Sequence, residues 1–356
     1  MQIDEADMNN IDFVLPWVDG SDTAWIELKK KYEASSVNMC CSDAEANTEC
    51  RYRDYGLLKY WFRSVERFAP WVNRIFFVTC GQKPDWLDES NPRLRLVDHK
   101  DYIPSEYLPT FQSNTIELNL HRIADLSERF VLFNDDTFLL RPAEPEFFFK
   151  KGLPVIPCDL GVPYWLGYDQ ISRVVINNSA ALKYSLDEDH LVWKNMWKYV
   201  DMRALGVRRA VKNFLSYAVN RTLISGSFGH LPQSHLKSTL ETLWNKVPQI
   251  MDNTCRNKFR TDDVVNQWLA CSWNMISGRF YPAHENRRGY FRKLYRHSFP
   301  EIYDVIKQRS FPMIGLGEGE SSDIMEVCYH DISELFDKLL PERSSFEKKL
   351  SETGKQ

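Results

Sequence analysis

Phe130-Val131-Leu132-Phe133-Asn134-Asp135-Asp136 runs four apolar residues straight into an amide and two carboxylates. A run this short, rich in aromatic and β-branched residues, reads as a buried strand whose carboxyl end carries the polar triplet. Upstream, Ile11-Asp12-Phe13-Val14-Leu15-Pro16-Trp17-Val18-Asp19 has the same form and ends in the turn Gly20-Ser21-Asp22. Arg74-Ile75-Phe76-Phe77-Val78-Thr79 repeats it before Gly81-Gln82, and a shorter strand, Leu94-Arg95-Leu96-Val97, leads to His99. Between them the periodicity changes to that of helices. One is expected from Thr23 to Tyr32 with Asp22 as N-cap, and one capped by Asp54 with a core stripe of Leu57, Leu58, Trp61, Phe62 and Val65. A third is expected from Asn114 to Ile123 on Ile116, Leu120 and Ile123. Strands alternating with helices predict an α/β fold: a mostly parallel, Rossmann-like sheet flanked by helices. In such sheets ligands bind beyond the carboxyl ends of the strands. Asp19-Gly20-Ser21-Asp22, Cys80-Gly81-Gln82 and Asn134-Asp135-Asp136 occupy that address.

Beyond residue 150 the pattern turns more helical, with expected helices at 206–219, 233–248 and 262–277. The reading is a core over 1–150, a helical lobe over 151–345 that completes the site, and a charged, frayed tail over 346–356. The 356 residues are 43% hydrophobic and 26% charged, enough apolar material for a large core. With 45 Lys plus Arg against 49 Asp plus Glu, the net charge of −4 argues against a nucleic-acid partner. No run approaches the ~18 apolar residues of a membrane span, and Met1–Asn10 is polar and acidic, so the expected location is cytoplasmic. Cys80, Cys158, Cys255, Cys271 and Cys328 read as small buried hydrophobes. Cys40, Cys41 and Cys50 match metal-site spacing poorly.

Adjacent carboxylates at a strand end repel unless a cation or donors hold them. Asp135 and Asp136 are therefore candidate ligands for a divalent cation, Mg²⁺ or Mn²⁺, or one is an acid/base; a turn in which they bond their own backbone stands level with that on composition. Glu117 and His121, four apart and beside Arg122, are expected on one helix face. His230 is placed in a loop before a helix. Arg260 is placed just ahead of a helix capped by Thr261 or Asp262, where a cation makes sense facing an anion. Gly315-Leu316-Gly317-Glu318-Gly319-Glu320 lacks the context of a phosphate loop. Arg287, Arg288, Arg292, Lys293 and Arg296, interleaved with Tyr290, Phe291 and Tyr295, form a basic-aromatic cluster. It is expected to be a solvated face or a peripheral contact with an anionic membrane or acceptor.

Four stretches together resemble the Stealth family of hexose-1-phosphate transferases, which includes bacterial capsular polysaccharide phosphotransferases and the animal lysosomal-enzyme N-acetylglucosamine-1-phosphate transferase. The first is Ile11-Asp12-Phe13-Val14 through Trp17-Val18-Asp19-Gly20-Ser21-Asp22. The second opens at Arg51-Tyr52-Arg53-Asp54 and runs through Ala69-Pro70-Trp71-Val72, Leu108-Pro109-Thr110-Phe111, Ile116-Glu117 and Leu120-His121-Arg122-Ile123 to Asn134-Asp135-Asp136. His230-Leu231-Pro232 and the Pro341–Phe346 region are the third and fourth. Cys80 stands where an aspartate or tryptophan is common, and Val327–Asp331 matches its segment loosely.

The resemblance implies an active site of Glu117, Asp136, His230 and Arg260. It places Asp19, Gly20, Ser21, Asp22, Arg53, Asn134, His121 and Arg122 at the substrate, with metal on Asp135 and Asp136. The implied reaction moves a sugar 1-phosphate from a nucleotide sugar, a UDP-N-acetylhexosamine or UDP-hexose, to a hydroxyl of a glycan or lipid-linked glycan. A phosphodiester forms and a nucleoside monophosphate leaves, in capsule or cell-surface polysaccharide synthesis at the inner face of the membrane. The alternative is a metal-dependent glycosyltransferase of the GT-A type, with Asn134-Asp135-Asp136 acting like Asp-x-Asp and a nucleoside diphosphate released.

Overall fold

Alternate residues of the buried strands face opposite cores, and that alternation builds the molecule. The computed structural model describes residues 10–35, 47, 52–158, 170–185, 189–220, 228–284, 288–319 and 322–349. Its main sheet has five strands, in the order Leu94–Asp98, Ile75–Thr79, Ile11–Pro16, Arg129–Leu132 and Gln233–Leu236. Strands β1 (Ile11–Pro16), β2 (Ile75–Thr79), β3 (Leu94–Asp98) and β4 (Arg129–Leu132) are parallel. Phe13, Leu15, Ile75, Phe77 and Val131 point into one cluster with Trp61, Phe62 and Val65 of the helix Leu58–Phe68. Val14, Phe76, Val78, Phe130 and Leu132 point into another, closed by the lobe residues Leu240, Leu243, Met251 and Leu269. The period of two explains why each strand reads as continuously apolar: both faces are covered. Strand order reverses between β1 and β4, opening a crevice at their carboxyl ends.

The division expected at residue 150 is not a boundary of packing. Strand β8 (Gln233–Leu236) adds antiparallel to β4, pairing Leu132 with Gln233. Immediately after Asn134-Asp135-Asp136 the chain enters β5 (Thr137–Leu139), which pairs antiparallel with β11 (Met313–Glu318), itself parallel to β10 (Tyr290–Leu294). A third sheet joins β6 (Phe149–Lys150), β7 (Leu153–Pro157) and β9 (Tyr281–Ala283).

Several local expectations are corrected. Residues 233–236 are strand, and the helix there is Lys237–Lys246, because the segment satisfies the open edge of β4. The helix from Ser113 stops at Leu118; a 3₁₀ turn, Leu120–Arg122, follows Asn119, whose amide donates to Thr115 O at 2.8 Å. Asp54 caps no helix: it accepts from Gly56 N in a turn where Gly56 has φ of 74°, while the helix N-cap, Leu57, makes no side-chain bond. No helix starts at Thr261 or Asp262; the next is Trp268–Ile276. The Gly315–Glu320 stretch is strand β11 as far as Glu318. Asp22 does cap the helix Thr23–Ser35, accepting from Ala24 N and Trp25 N.

The expected tail is docked as far as it is described. Phe346 is fully buried against Phe62, and Glu347 takes Arg63 in a buried two-point pair at 2.7 and 2.9 Å. Residues 350–356 lie outside the described residues, as do Cys40, Cys41 and Cys50. Phe346→Ala should cost about 3–5 kcal/mol as a large core deletion. Glu347→Ala should cost about 3 kcal/mol, because it strands a buried guanidinium. Denaturant unfolding checks both; losses below about 0.5 kcal/mol would mark the segment as surface.

Candidate active site

A cavity of about 400 Å³ opens at the carboxyl ends of β1, β2 and β4. Glu117, Asp136, His230 and Arg260 all line it, as do Arg53, Asn134 and Asp135. Each is brought there by a different device.

Glu117 comes from the short helix Ser113–Leu118 and is buried. Burial pushes its carboxyl up to about 7; the Arg260 charge opposes this, as do hydrogen bonds to Ser113 and the Gln267 backbone. A carboxyl poised there can hold or release a proton near neutrality. Arg260 is carried by a segment tied back to the first half of the chain. Phe111 N donates to Lys258 O at 2.8 Å and Phe259 stacks on Phe111 at 5.1 Å. Asn47 exchanges two hydrogen bonds with the Arg260 backbone, at 3.1 and 3.2 Å.

Asp136 and His230 are set by the β10-β11-β5 sheet. Leu316 N donates to Asp136 O at 3.0 Å. The Thr137 hydroxyl lies 3.1 Å from Asp136 Oδ1 and 3.4 Å from the His230 carbonyl oxygen, within donating reach of either. The exposed His230 ring stacks on Phe291, centroids 4.7 Å apart. Phe291 lies over glycines: a Cβ on Gly317 would stand 2.7 Å from Phe291 Cζ, and one on Gly315 would stand 2.9 Å from Cδ2. The Gly-Leu-Gly-Glu-Gly run is thus a seat for the ring that faces His230. A Cβ at either position would force the ring to shift.

The other expected substrate contacts divide. Arg53 lines the cavity and pairs with Glu326 of the helix Ser322–Leu339. Asp19, Gly20, Ser21 and Asp22 do not line it; Trp17 and Val18 do. Asp19 is bonded by Ser21, and Gln82 donates to both Asp19 O and Asp22 Oδ2 at 3.0 Å. Gly20 admits the Tyr52 backbone, whose carbonyl oxygen would be 2.1 Å from a Cβ. The break at Asn119 separates His121 and Arg122 from Glu117, and neither lines the cavity. His121 packs on Trp244, with burial lowering its pKa to about 4, and Arg122 lies over the same ring at 4.9 Å.

Among the Asp, Glu, Lys and Arg residues of the lining, Asp54 and Lys293 are the two that the sequence does not assign to the site. Asp54 lies in the quoted Arg-Tyr-Arg-Asp run but was assigned to a cap; burial, with the Asp19 charge adding to it, raises its pKa. Lys293 was counted in the basic cluster, yet lines the cavity. That cluster is itself broken up. Arg288 is buried, donating to Val155 O and Pro232 O at 3.0 and 3.2 Å, so it serves no surface contact. Arg292 and Arg296 are exposed, and Arg287 lies outside the described residues.

The chain matches the Stealth protein CR1, conserved region 1, over residues 9–37 and the Stealth protein CR2, conserved region 2, over residues 51–155. A capsular polysaccharide phosphotransferase WcwK of Streptococcus pneumoniae is 39% identical, across 96% of this chain and 100% of that one. The chain belongs to the Stealth family. It is a phosphotransferase. A receptor polysaccharide phosphotransferase WefC of Streptococcus gordonii is 35% identical across 96% of this chain and 99% of its own. The exopolysaccharide phosphotransferase cps2G of Lactiplantibacillus plantarum is 31% identical across 95% and 96%. Among solved structures, the galactosyltransferase LgtC with donor and acceptor sugar analogs is similar at a TM-score of 0.39 and 10% identity, covering 94% of this chain and 98% of that one. Glu117 and Asn134–Asp136 fall inside the second Stealth region, and His230 and Arg260 fall outside both.

The donor set at the cavity suits a hard cation. Asp135 is exposed and Asp136 half-buried, and both line the cavity. Among the described residues no third carboxylate, histidine or cysteine joins them in a cluster.

Glu117→Gln should stabilise the protein while impairing it. With a folded pKa of about 7, above its unfolded value, the native chain binds the extra proton between roughly pH 4.5 and 7. Wild-type stability therefore falls across that window. The glutamine variant should gain about 1–3 kcal/mol over wild type above pH 7 and little at pH 4, read from thermal melts against pH. Gly317→Ala should displace Phe291 and lower turnover by about tenfold, about 1.4 kcal/mol of barrier, with donor KM nearly unchanged in steady-state kinetics.

Proposed function

We propose that the protein transfers sugar 1-phosphate from a nucleotide sugar to a glycan hydroxyl, releasing a nucleoside monophosphate. The donor is a UDP-N-acetylhexosamine or UDP-hexose, the acceptor a glycan or lipid-linked glycan, and the setting capsule or cell-surface polysaccharide synthesis. The observation that carries the reading is one cavity holding a near-neutral carboxyl beside an arginine, with a histidine linked through Thr137 to the strand-end aspartate.

In this reaction the acceptor oxygen forms a bond to the sugar-proximal phosphorus as the bridging P–O bond to the nucleoside phosphate breaks. His230, exposed at the cavity, takes the proton of the attacking hydroxyl. Arg260 neutralises phosphoryl oxygens in the two-point manner guanidinium allows, and Lys293 adds a point charge. Glu117, near the Arg260 charge and with its carboxyl raised to about 7, gives its proton to the departing phosphate. Asp136, with Asp135, would hold Mg²⁺ or Mn²⁺, which when bound neutralises charge on the donor phosphates. Positioning and charge carry most such reactions, and the sugar ring is a spectator. Among the described residues no helix is long and apolar enough to cross a membrane.

The metal-dependent glycosyltransferase reading rests on the paired aspartates at a strand end and differs in the bond that breaks. Incubation with nucleotide sugar and acceptor, with products weighed by mass spectrometry, should give nucleoside monophosphate and a product retaining the donor's anomeric phosphate. Nucleoside diphosphate with a phosphate-free glycoside would establish the alternative. Asp136→Asn and His230→Ala should each lower turnover by at least about 10²-fold with folding intact.

A further inference from the structure

The helix Val207–Asn220 is mounted with its apolar stripe outward. Val207, Val211, Phe214, Leu215 and Val219 recur at the spacing of one helical face, and all are exposed, Val207 by 63% and Leu215 by 55%. The face turned to the protein carries Ala210 and the polar Asn213, whose amide donates to Tyr199 O at 2.9 Å and Cys158 O at 3.2 Å. A helix serving only its own fold would be turned the other way. Next to it, Trp193 and Trp197, on the helices Asp189–Lys194 and Met196–Tyr199, are 64% and 62% exposed, and Trp193 stacks on Tyr217 of the inverted helix. Met202 is exposed as well. Isolated exposed apolar residues are ordinary; a contiguous set of this size marks an interaction surface.

Charge identifies the partner. Across residues 187–219 the sequence has six Lys and Arg against four acids, Asp187, Glu188, Asp189 and Asp201, the last occupied in capping Arg203 N and Ala204 N. Lys194, Arg203 and Arg208 are exposed in the same stretch of a chain whose net charge is −4. Tryptophans at an apolar face rimmed by lysine and arginine fit the boundary between headgroups and acyl chains of an anionic bilayer. A second copy of this chain would bring the same cations against one another. We propose that this face, and not the 287–296 cluster, seats the protein on an anionic membrane surface, with Phe214, Leu215, Trp193 and Trp197 inserted and the cations at the headgroups. The helix Asp189–Lys194, which carries Trp193, packs on Trp268–Ile276, and that helix also contributes Trp268 to the cavity. An acceptor carried on lipid would then be presented to the catalytic wall.

Flotation with phosphatidylcholine vesicles containing about a third phosphatidylglycerol tests this, against phosphatidylcholine alone. Wild type should float with the anionic vesicles only, and lose most of that binding at about 0.5 M salt. The double variants Phe214→Ser/Leu215→Ser and Trp193→Ser/Trp197→Ser should reduce vesicle binding by at least about tenfold. Turnover on a short soluble acceptor and the thermal melt should stay at wild-type values. Wild type that ignores anionic vesicles, or binds both compositions alike, would overturn the proposal, as would variants that float like wild type. A wild-type dimer that these substitutions dissociate without lipid would also overturn it and assign the face to self-association. Vesicle binding and oligomeric state depend on neither donor nor product, so the proposed reaction stands or falls separately.

Discussion

A carboxylate taken out of water must be answered by a cation or keep its proton, and Glu117 is held between the two. Its buried position raises its pKa to about 7, and Arg260 is the charge that limits the rise. The arginine comes from the far half of the chain. It arrives because Phe111 bonds Lys258 and stacks on Phe259, in a small aromatic cluster that also holds Trp25 and Tyr52. The site therefore exists only when the second half of the chain has folded onto the first. The same interdependence shows in the sheet, where β8 closes the edge of β4, and in the two cores, each of which draws on both halves.

The strands were legible because each is covered on both faces, so composition alone betrays them. Phe13 and Phe77 face one core while Val14 and Phe76 face the other. What escaped is non-local. Gln233-Ser234-His235-Leu236 has nothing in its own residues to prefer strand; it is strand because β4 offers an unpaired edge. The run from Asn114 to Ile123 has a good helical stripe, but the Asn119 side chain bonds the backbone of Thr115 and ends the helix, the local competition typical of asparagine. That one side chain parts His121 from Glu117. The segment from Phe346 onward reads as charged tail because a single phenylalanine gives no periodicity; the groove that accepts that ring is made by Phe62 and Arg93.

The glycine-rich run at 315–319 shows how a motif can be dismissed for the right reason and still matter. Its acidic residue and its strand conformation both disqualify it as a phosphate cradle. The physical property shared with such cradles, absence of a Cβ, is used instead to admit the ring of Phe291. Through that ring, and through Thr137 between Asp136 and the His230 carbonyl, a small peripheral sheet sets the geometry of two site residues. Precision at such a site depends on what supports the reacting groups as much as on the groups themselves.

Hydrophobic periodicity says which residues share a helical face and is silent about what lies opposite that face. For Leu58–Phe68 the apolar face meets β1 and β2. For Val207–Asn220 the same kind of stripe meets solvent, and the polar Asn213 is the residue enclosed. Sequence reading had to look for a membrane contact where cations crowd together, at 287–296, yet the Arg288 guanidinium there is consumed by two backbone carbonyls and Lys293 turns to the cavity. Density of charge is a poor guide when the charges have partners inside the fold. Cations beside an uncovered apolar face carry more, because burying that face against lipid and bringing those cations to anionic headgroups are satisfied by one orientation of the molecule.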